Sequence, residues 1–336
     1  MTTARPFTRG DLAALNAFVA QAAARAPEHV YLMTSDVAWR LPGSGPKHNL
    51  RLWHDQSNAR DALAGFVWFE PTTGFEFELR HDIDYGSPLA SAMLDWAEAR
   101  RREFAPAYPR FIDLDSMEQW ADEINHPRPP SASDGACLTT VAFDTDAPRI
   151  AVLEARGYRA TKHFMPDYRC DLTRPVPERC RSRGQARSHE LPAGARLRHV
   201  TDADLDARIA CHRASWLQSA FDAARYAEVR SSPCYDAELD IVLEAADGTF
   251  ASYCLCWADH TTGIGSYEPV GTRPEWRGRG VGRAVIHEGL RRLRDKGMRV
   301  ARVGTAGFNA PAQALYASCG FERIGTLRTY LKVLDC

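Results

Sequence analysis

Three glycines at alternate positions, Gly278, Gly280 and Gly282, are interleaved with Arg277, Arg279 and Val281 and followed by Arg283. Such a loop can bring its backbone close to a ligand and leaves N–H groups pointing outward. A helical pattern starts at once, with Val281, Val285, Ile286, Gly289, Leu290 and Leu293 on one face and Arg291, Arg292, Arg294 and Asp295 opposite. The loop is therefore also the positive end of a helix dipole. Free amides, a helix start and fixed positive charge together make a seat for a pyrophosphate.

Spacing narrows the ligand. A phosphate loop of the Walker kind needs a lysine that is absent here, and a dinucleotide fingerprint needs a third glycine where Arg283 stands. The pattern Arg-x-x-Gly-x-Gly, from Arg277 to Gly282, resembles the acetyl-CoA signature of the GCN5-related N-acetyltransferase (GNAT) family. Its neighbours extend the likeness. Upstream, Tyr267-Glu-Pro-Val-Gly-Thr272 reads as a strand distorted around a proline and a glycine. Downstream, Asn309 suits a helix N-cap, Pro311 its first turn, and Gly320-Phe321 its end. Asn309, then Tyr316, then Gly320-Phe321 is similar to the family's second signature.

The resemblance implies roles. Main-chain donors at Val270 and Thr272, with Gly271 between them, would hold the pantetheine arm and polarise the thioester carbonyl. Arg277, Gly278, Arg279, Gly280, Val281, Gly282 and Arg283 would take the pyrophosphate, with Asn309 completing the cofactor site. Tyr316 would protonate the departing thiolate. Direct attack of an amine on a thioester needs a neutral nucleophile, a polarised carbonyl and an acid, but no covalent enzyme intermediate. The base is open between Glu268, whose apolar neighbours would raise its pKa, and Glu244 acting through water. Trp216, Phe221, Tyr226, Ser266 and Tyr267 are the candidate walls of the acceptor pocket.

The elements that hold these residues occur twice. Asp146-Ala-Pro-Arg-Ile-Ala-Val-Leu-Glu-Ala-Arg-Gly-Tyr158 aligns without gaps on Asn309 to Phe321. Ala64-Gly-Phe-Val-Trp-Phe69, ending in Thr72-Thr-Gly74, parallels Ala251 to Trp257, ending in Thr261-Thr-Gly263. Arg5 to Leu12 likewise parallels Arg198 to Leu205. The expectation is an α+β (mixed α/β) chain of two tandem GNAT-like domains, each a mostly antiparallel mixed sheet flanked by helices. Their bounds read as 1–172 for a degenerate copy, 173–192 for a Pro- and Arg-rich linker, and 193–336 for the acetyltransferase. Residues from Phe321 onward read as a final strand pair.

The copies differ where chemistry would sit. Acidic residues in Phe75 to Ser87 replace the pyrophosphate loop and would repel phosphate, and Leu153 stands where Tyr316 does. The first copy would then cover part of the acceptor cleft or brace the second. An insertion around 106–136 lengthens it.

Composition sets limits. A net charge of −1 and no aromatic interleaving in the basic linker argue against nucleic acid. No run approaches the ~20 apolar residues of a membrane span, and no signal-peptide pattern opens the chain. Nine cysteines, scattered without a Cys-x-x-Cys pair, fit reduced thiols in a cytoplasmic protein without a metal. Few lysines among the 42 basic residues suggest a high-GC bacterial genome. The sequence thus points to an acetyl-CoA-dependent transferase acting on a small-molecule amine or a peptide N-terminus, as monomer or homodimer. The alternative is a CoA-binding sensor without an acceptor.

Overall fold

The structure, a computed structural model, describes residues 2–41, 49–56, 62–70, 74–104, 119, 136–174, 191–216 and 219–334. Most of the insertion and of the linker expected from the sequence, with Thr72 and Thr73, lie outside them.

Four antiparallel strands, β1 (Thr2–Pro6), β2 (Leu50–Asp55), β3 (Ala62–Glu70) and β4 (Gly74–Leu79), form one sheet in that order. The apolar run Ala64 to Phe69 is buried because both faces of β3 are covered. Helix α1 (Leu12–Arg25) and the short α2 (Thr34–Arg40) lie on the side of Leu52, Phe66 and Trp68. Helix α3 (Pro88–Phe104) packs Leu89, Met93, Leu94 and Ala97 with Val67, Phe69, Phe75 and Phe77 on the other.

The second sheet has eight strands. In chain order they are β5 (Ala136–Phe143), β6 (Arg159–Asp171), β7 (Arg196–His199), β8 (Asp240–Glu244), β9 (Phe250–Asp259), β10 (Ile264–Thr272), β11 (Val300–Gly304) and β12 (Glu322–Leu334). Their spatial order is β5-β12-β6-β11-β10-β9-β8-β7. Helices α4 (Ala147–Ala155), α5 (Leu205–Ser215), α6 (Ala223–Arg230), α7 (Val281–Asp295) and α8 (Ala310–Ser318) complete the chain.

The strand order shows an exchange. β6, from the first half, runs between β11 and β12 of the second, while β12 pairs with β5 of the first. Tyr168, Cys170 and Leu172 thereby enter the core under α7, and Tyr330 and Leu334 enter the core under α3. Burying one large apolar side chain is worth roughly 1.5–3 kcal/mol, against a net domain stability of about 5–15 kcal/mol. Exchanged side chains are thus a large part of what keeps each half folded. The stretch after Phe321 is one bulged 13-residue strand and not the strand pair expected from its sequence. Two irregularities of register, at Arg323/Gly325 and Arg328/Tyr330, let that strand serve β6 and β5 together.

The internal repeat reappears as matching geometry. Asp146 and Asn309 both cap their helices, accepting from Arg149 N and Ala312 N at 3.2 Å. Pro148 and Pro311 follow in the first turns, and Leu153 and Tyr316 occupy equivalent buried positions.

A fragment limited to 193–336 leaves a gap between β11 and β12 where β6 belongs. Its thermal melt, followed by circular dichroism, is expected to lose cooperativity, and co-expression with 1–192 should restore it. A cooperative melt of the fragment alone would show that the exchanged strand is dispensable.

Candidate active site

β10 and β11 run parallel and pair only at Ile264, Gly265 and Ser266 against Val300, Ala301 and Arg302. Beyond Ser266, β10 continues to Thr272 on β9 alone, with a register shift between Tyr267 and Val270. The shift falls at Glu268-Pro269, where proline has no N–H to give a ladder. One edge of β10 therefore opens into a cleft. Arg273 N donates to Ala251 O at 3.0 Å, which turns residues 271 and 273 toward β9. Strand alternation then leaves the N–H groups of Val270 and Thr272 on the open edge.

The glycine loop lies at the cleft mouth. Gly278 and Gly280 have φ of +73° and +81°, backbone that side-chain-bearing residues rarely adopt. Gly280 is the N-cap of α7, and the helix ladder begins with Ala284 N to Gly280 O at 3.0 Å. The N–H groups of Val281, Gly282 and Arg283 precede that ladder and point out of the helix end. Arg283 Nε is buried without a hydrogen-bond partner among the described residues. Arg279 lies over Trp276, 5.2 Å from its ring centre. Arg277 is turned back, donating to Thr272 O and Ser215 O at 3.3 Å, so it braces the loop. This donor set fits a pyrophosphate: backbone amides at a helix start and an arginine side chain still in need of an acceptor.

α7 is seated on the sheet through Gly289. A Cβ there would meet the Tyr267 ring at 2.7 Å and Cys256 Sγ at 2.8 Å. Tyr267 donates its hydroxyl to Ile286 O at 2.8 Å. Tyr267, expected as an acceptor wall, is instead a core residue that fixes the helix. Cys254 and Cys256 share that buried face, and no cluster of three metal-ligating side chains exists among the described residues.

Tyr316 projects from α8 into the same core, with ring centres 6.0 Å from Tyr168 and from Phe321. Burial first, then the neighbouring Cys254, Cys319 and Glu268, drive its phenol well above the ordinary value. It is held as a proton donor at neutral pH.

Glu268 is half-buried on β10, its carbonyl accepting from Trp257 Nε1 at 2.7 Å. Burial pushes its carboxyl well above the usual range, and the charge of Asp36 and a hydrogen bond that the protonated Glu268 donates to it add to the rise, while Arg40 opposes it. Glu244 is engaged elsewhere, ion-paired to Arg196 and Arg198, and its hydrogen bonds to them lower its pKa. Ser266 Oγ donates to Ser35 Oγ at 2.7 Å, tying β10 to α2 of the first half.

An aromatic cluster lies beyond. Trp216 Nε1 donates to Tyr253 OH at 3.0 Å, and that oxygen lies 2.7 Å from His212 Nδ1. Burial lowers the His212 pKa to about 3, so the ring is neutral. Trp39 stacks on Phe221 at 5.4 Å, and Arg225 donates to Trp39 O at 3.1 Å. Tyr226 is buried, its hydroxyl on Asp240. Phe221 and Tyr226 thus act as packing. His212, Tyr253, Trp39 and Asp36 were absent from the sequence-derived site, because no local motif marks them.

In the first half the equivalent loop is closed on itself. Arg80 pairs with Asp55 at 3.0 Å and Asp82 at 2.6 Å, and Gly86 N donates to Asp84 Oδ1 at 2.6 Å. A cavity of about 250 Å³ remains beside it, lined in part by Tyr31, Glu78, Tyr85 and Asp146.

Comparison with known proteins follows the same lines. The model of the Acetyltransferase (GNAT) family matches residues 205–321. A mycothiol acetyltransferase of Saccharomonospora viridis is 32% identical over 150 residues, covering 40% of this chain and 48% of its own length. One of Kineococcus radiotolerans is 38% identical over 105 residues, 31% of each chain. The chain thus matches about half or less of the length of these curated relatives. Among solved structures, a tandem GNAT protein from the clavulanic acid biosynthesis pathway superposes with a TM-score of 0.61 at 14% identity, covering 99% of this chain and 98% of its own. A GCN5-related N-acetyltransferase from Sphaerobacter thermophilus gives 0.60 at 18% identity, covering 98% and 95%. These two are likenesses of fold.

Two outcomes follow from the geometry. Gly280→Ala forces a left-handed backbone at a cost of roughly 1–2 kcal/mol and should weaken acetyl-CoA binding at least about tenfold by calorimetry, as amides leave the pyrophosphate. For Glu268, a carboxyl whose pKa is raised by folding destabilises progressively as pH climbs from the unfolded value through the folded one. Glu268→Gln should therefore melt higher than the natural protein at pH 8, with the gap closing near pH 4. Equal melting temperatures throughout would mean that folding does not hold Glu268 neutral.

Proposed function

Since the chain belongs to the GNAT superfamily, we propose that its second half transfers the acetyl group of acetyl-CoA to an amine. The observation that carries this reading is the open edge of β10 meeting the loop 277–283, with Glu268 on that strand and the Tyr316 phenol buried in the core beneath α7. A site for binding alone has no use for a protonated phenol beside a carboxyl of raised pKa.

In this reading the pyrophosphate rests on the N–H groups of Val281, Gly282 and Arg283, with Arg279 and the Arg283 side chain supplying charge. Gly278 and Gly280 give the turn, Arg277 braces it, and Asn309 caps the helix that carries the acid. The pantetheine arm lies along β10, and Val270 and Thr272 N–H polarise the thioester carbonyl, with Gly271 between them. Above its raised pKa, Glu268 accepts the proton of the attacking amine as the N–C bond forms. The C–S bond then breaks, and Tyr316 protonates the thiolate sulfur. Preorganised donors at the carbonyl and a matched acid and base each supply orders of magnitude in rate.

Trp216, Ser266 and residues of the first half border the acceptor side. Names of the curated relatives make the deacetylated form of mycothiol the first acceptor to assay, within a wider class of small-molecule amines and peptide N-termini. We read residues 1–172 as a copy that has lost the cofactor chemistry, 173–192 as the connection, and 193–336 as the transferase. The acidic, self-paired loop at Arg80–Ser87 and Leu153 in place of an acid support a silent first copy. No helix among the described residues is long and apolar enough to cross a membrane.

Tyr316→Phe tests the reading. The turnover number, measured by thiol release, should fall about 10²-fold or more, while the acetyl-CoA dissociation constant stays within about twofold by calorimetry. Binding with no turnover of any amine in the natural protein would favour a sensor instead.

A further inference from the structure

The first half keeps a cleft where the second has its candidate cofactor site, but closes its inner end. Asp146 stands in the place of Asn309, and Arg149 in that of Ala312. Arg149 is fully buried and spans the gap between β4 and β5, which belong to different sheets. Its Nη1 donates to Phe77 O of β4 and its Nε to Val141 O of β5, both at 3.0 Å. Its guanidinium carbon lies 3.7 Å from the Tyr31 ring centre and 4.0 Å from that of Phe77. An alanine, as at position 312, cannot make such a bridge. In front of Arg149 remains the cavity of about 250 Å³, bordered by α1, the segment after it, the end of β4, the loop that follows and the N-cap Asp146. Tyr31 and Tyr85 line it and both touch Arg149, the Tyr85 hydroxyl accepting from Nη1 at 3.4 Å.

Most charged groups around this chamber are already engaged. Asp146 Oδ2 accepts from Tyr31 OH at 2.7 Å, and its Oδ1 from the Arg149 backbone N–H at 3.2 Å. Arg80 is taken by Asp55 and Asp82. His29 Nε2 lies 2.9 Å from Thr145 Oγ1. Two groups are left over. Glu78, half-buried near the end of β4, makes no hydrogen bond or ion pair with another side chain among the described residues. Burial raises its carboxyl to about 7, with Arg149 opposing and Asp146 adding to the rise. A cation in the chamber would relieve that cost. Arg25, exposed at the mouth, donates through Nη1 to His81 Nδ1, and its Nε and Nη2 have no partner among the described residues.

We propose that this chamber binds a small zwitterion of the amino-acid kind, with its ammonium on Glu78 and its carboxylate on Arg25. Charge-assisted hydrogen bonds at both ends suit such a ligand, and Tyr31, Ile83 and Tyr85 form a wall for its side chain. An acyl-CoA does not fit the same place. Arg149 fills the gap where a thioester arm would run, and Asp82 and Asp84 stand in the loop that would meet the pyrophosphate. The first half is then a receptor for a ligand of its own, and that site does not depend on what the second half transfers.

Calorimetry of the whole chain with each common L-amino acid in turn, followed by hydrogen exchange of the complex, tests the site. At least one amino acid should bind, and it should slow exchange of backbone amides in 78–85 while leaving those in 270–283 unchanged. Its N-acetyl form and its methyl ester, each lacking one charge, should bind at least about tenfold more weakly. Glu78→Gln and Arg25→Gln should cause losses of the same size with the circular dichroism spectrum unchanged. No binding by any of the set, protection confined to 270–283, or either derivative binding as tightly as the free amino acid would overturn the inference. Slowed exchange in 78–85 with acetyl-CoA would do so as well, because the cofactor would then have entered past Arg149. The exchange map is read on the natural chain and stands even if the variants misfold.

Discussion

Exchange of the last strand between the halves is the constraint on which the molecule depends. β6 fills the place beside β11 that the second half leaves empty, and β12 closes the first half against β5. Each core is completed by side chains from the other half. Contacts across the junction are therefore fixed as firmly as contacts within a domain, where a flexible linker would allow relative motion. Short polar links such as Ser35–Ser266 have a lasting geometry only on such a frame.

From that frame the cleft follows with little further design. A parallel pair that holds for three residues and then parts leaves a strand edge with unused backbone donors. Elsewhere an exposed edge invites aggregation; here the bulge at Glu268-Pro269 twists it away and α7 caps its end. The same α7 brings its N-terminal amides to the mouth, and Gly289 allows it to sit low enough on Tyr267 to do so. On the proposed reading main chain does most of the binding, and few side chains need be specified.

This explains what could be read from residues alone. The glycine loop, the six buried positions of α7 and the Asn309 cap are local features, and their spacing carries the physics. The repeat was legible for the same reason, as Asp146 and Asn309 cap identical turns. Strand partners were not: nothing in 322–334 distinguishes a hairpin from a strand with two neighbours, because partner choice is a long-range matter. Tyr267 misled because an aromatic on a site strand alternates between cleft and core, and the bulge decides which. Asp36 left no trace, since a carboxylate at the third position of a short helix reads as a capping residue, a role it also fills.

The loss of a loop in the first copy and the gain of a carboxyl in the second site are connected by energy. A duplicated domain relieved of phosphate binding can accept acidic groups on β4 and α2 that a phosphate site would exclude. Glu70 and Glu76 there are tolerated because Arg40 lies between them. The charge of Asp36 then acts on the Glu268 carboxyl, which is already desolvated, and a like charge has more effect there than it would in water. Burial alone raises a carboxyl by making its charged form costly, and a base made costly in this way is also scarce at neutral pH. Duplication thus places α2 of the first half against β10 of the second, where Ser35 meets Ser266.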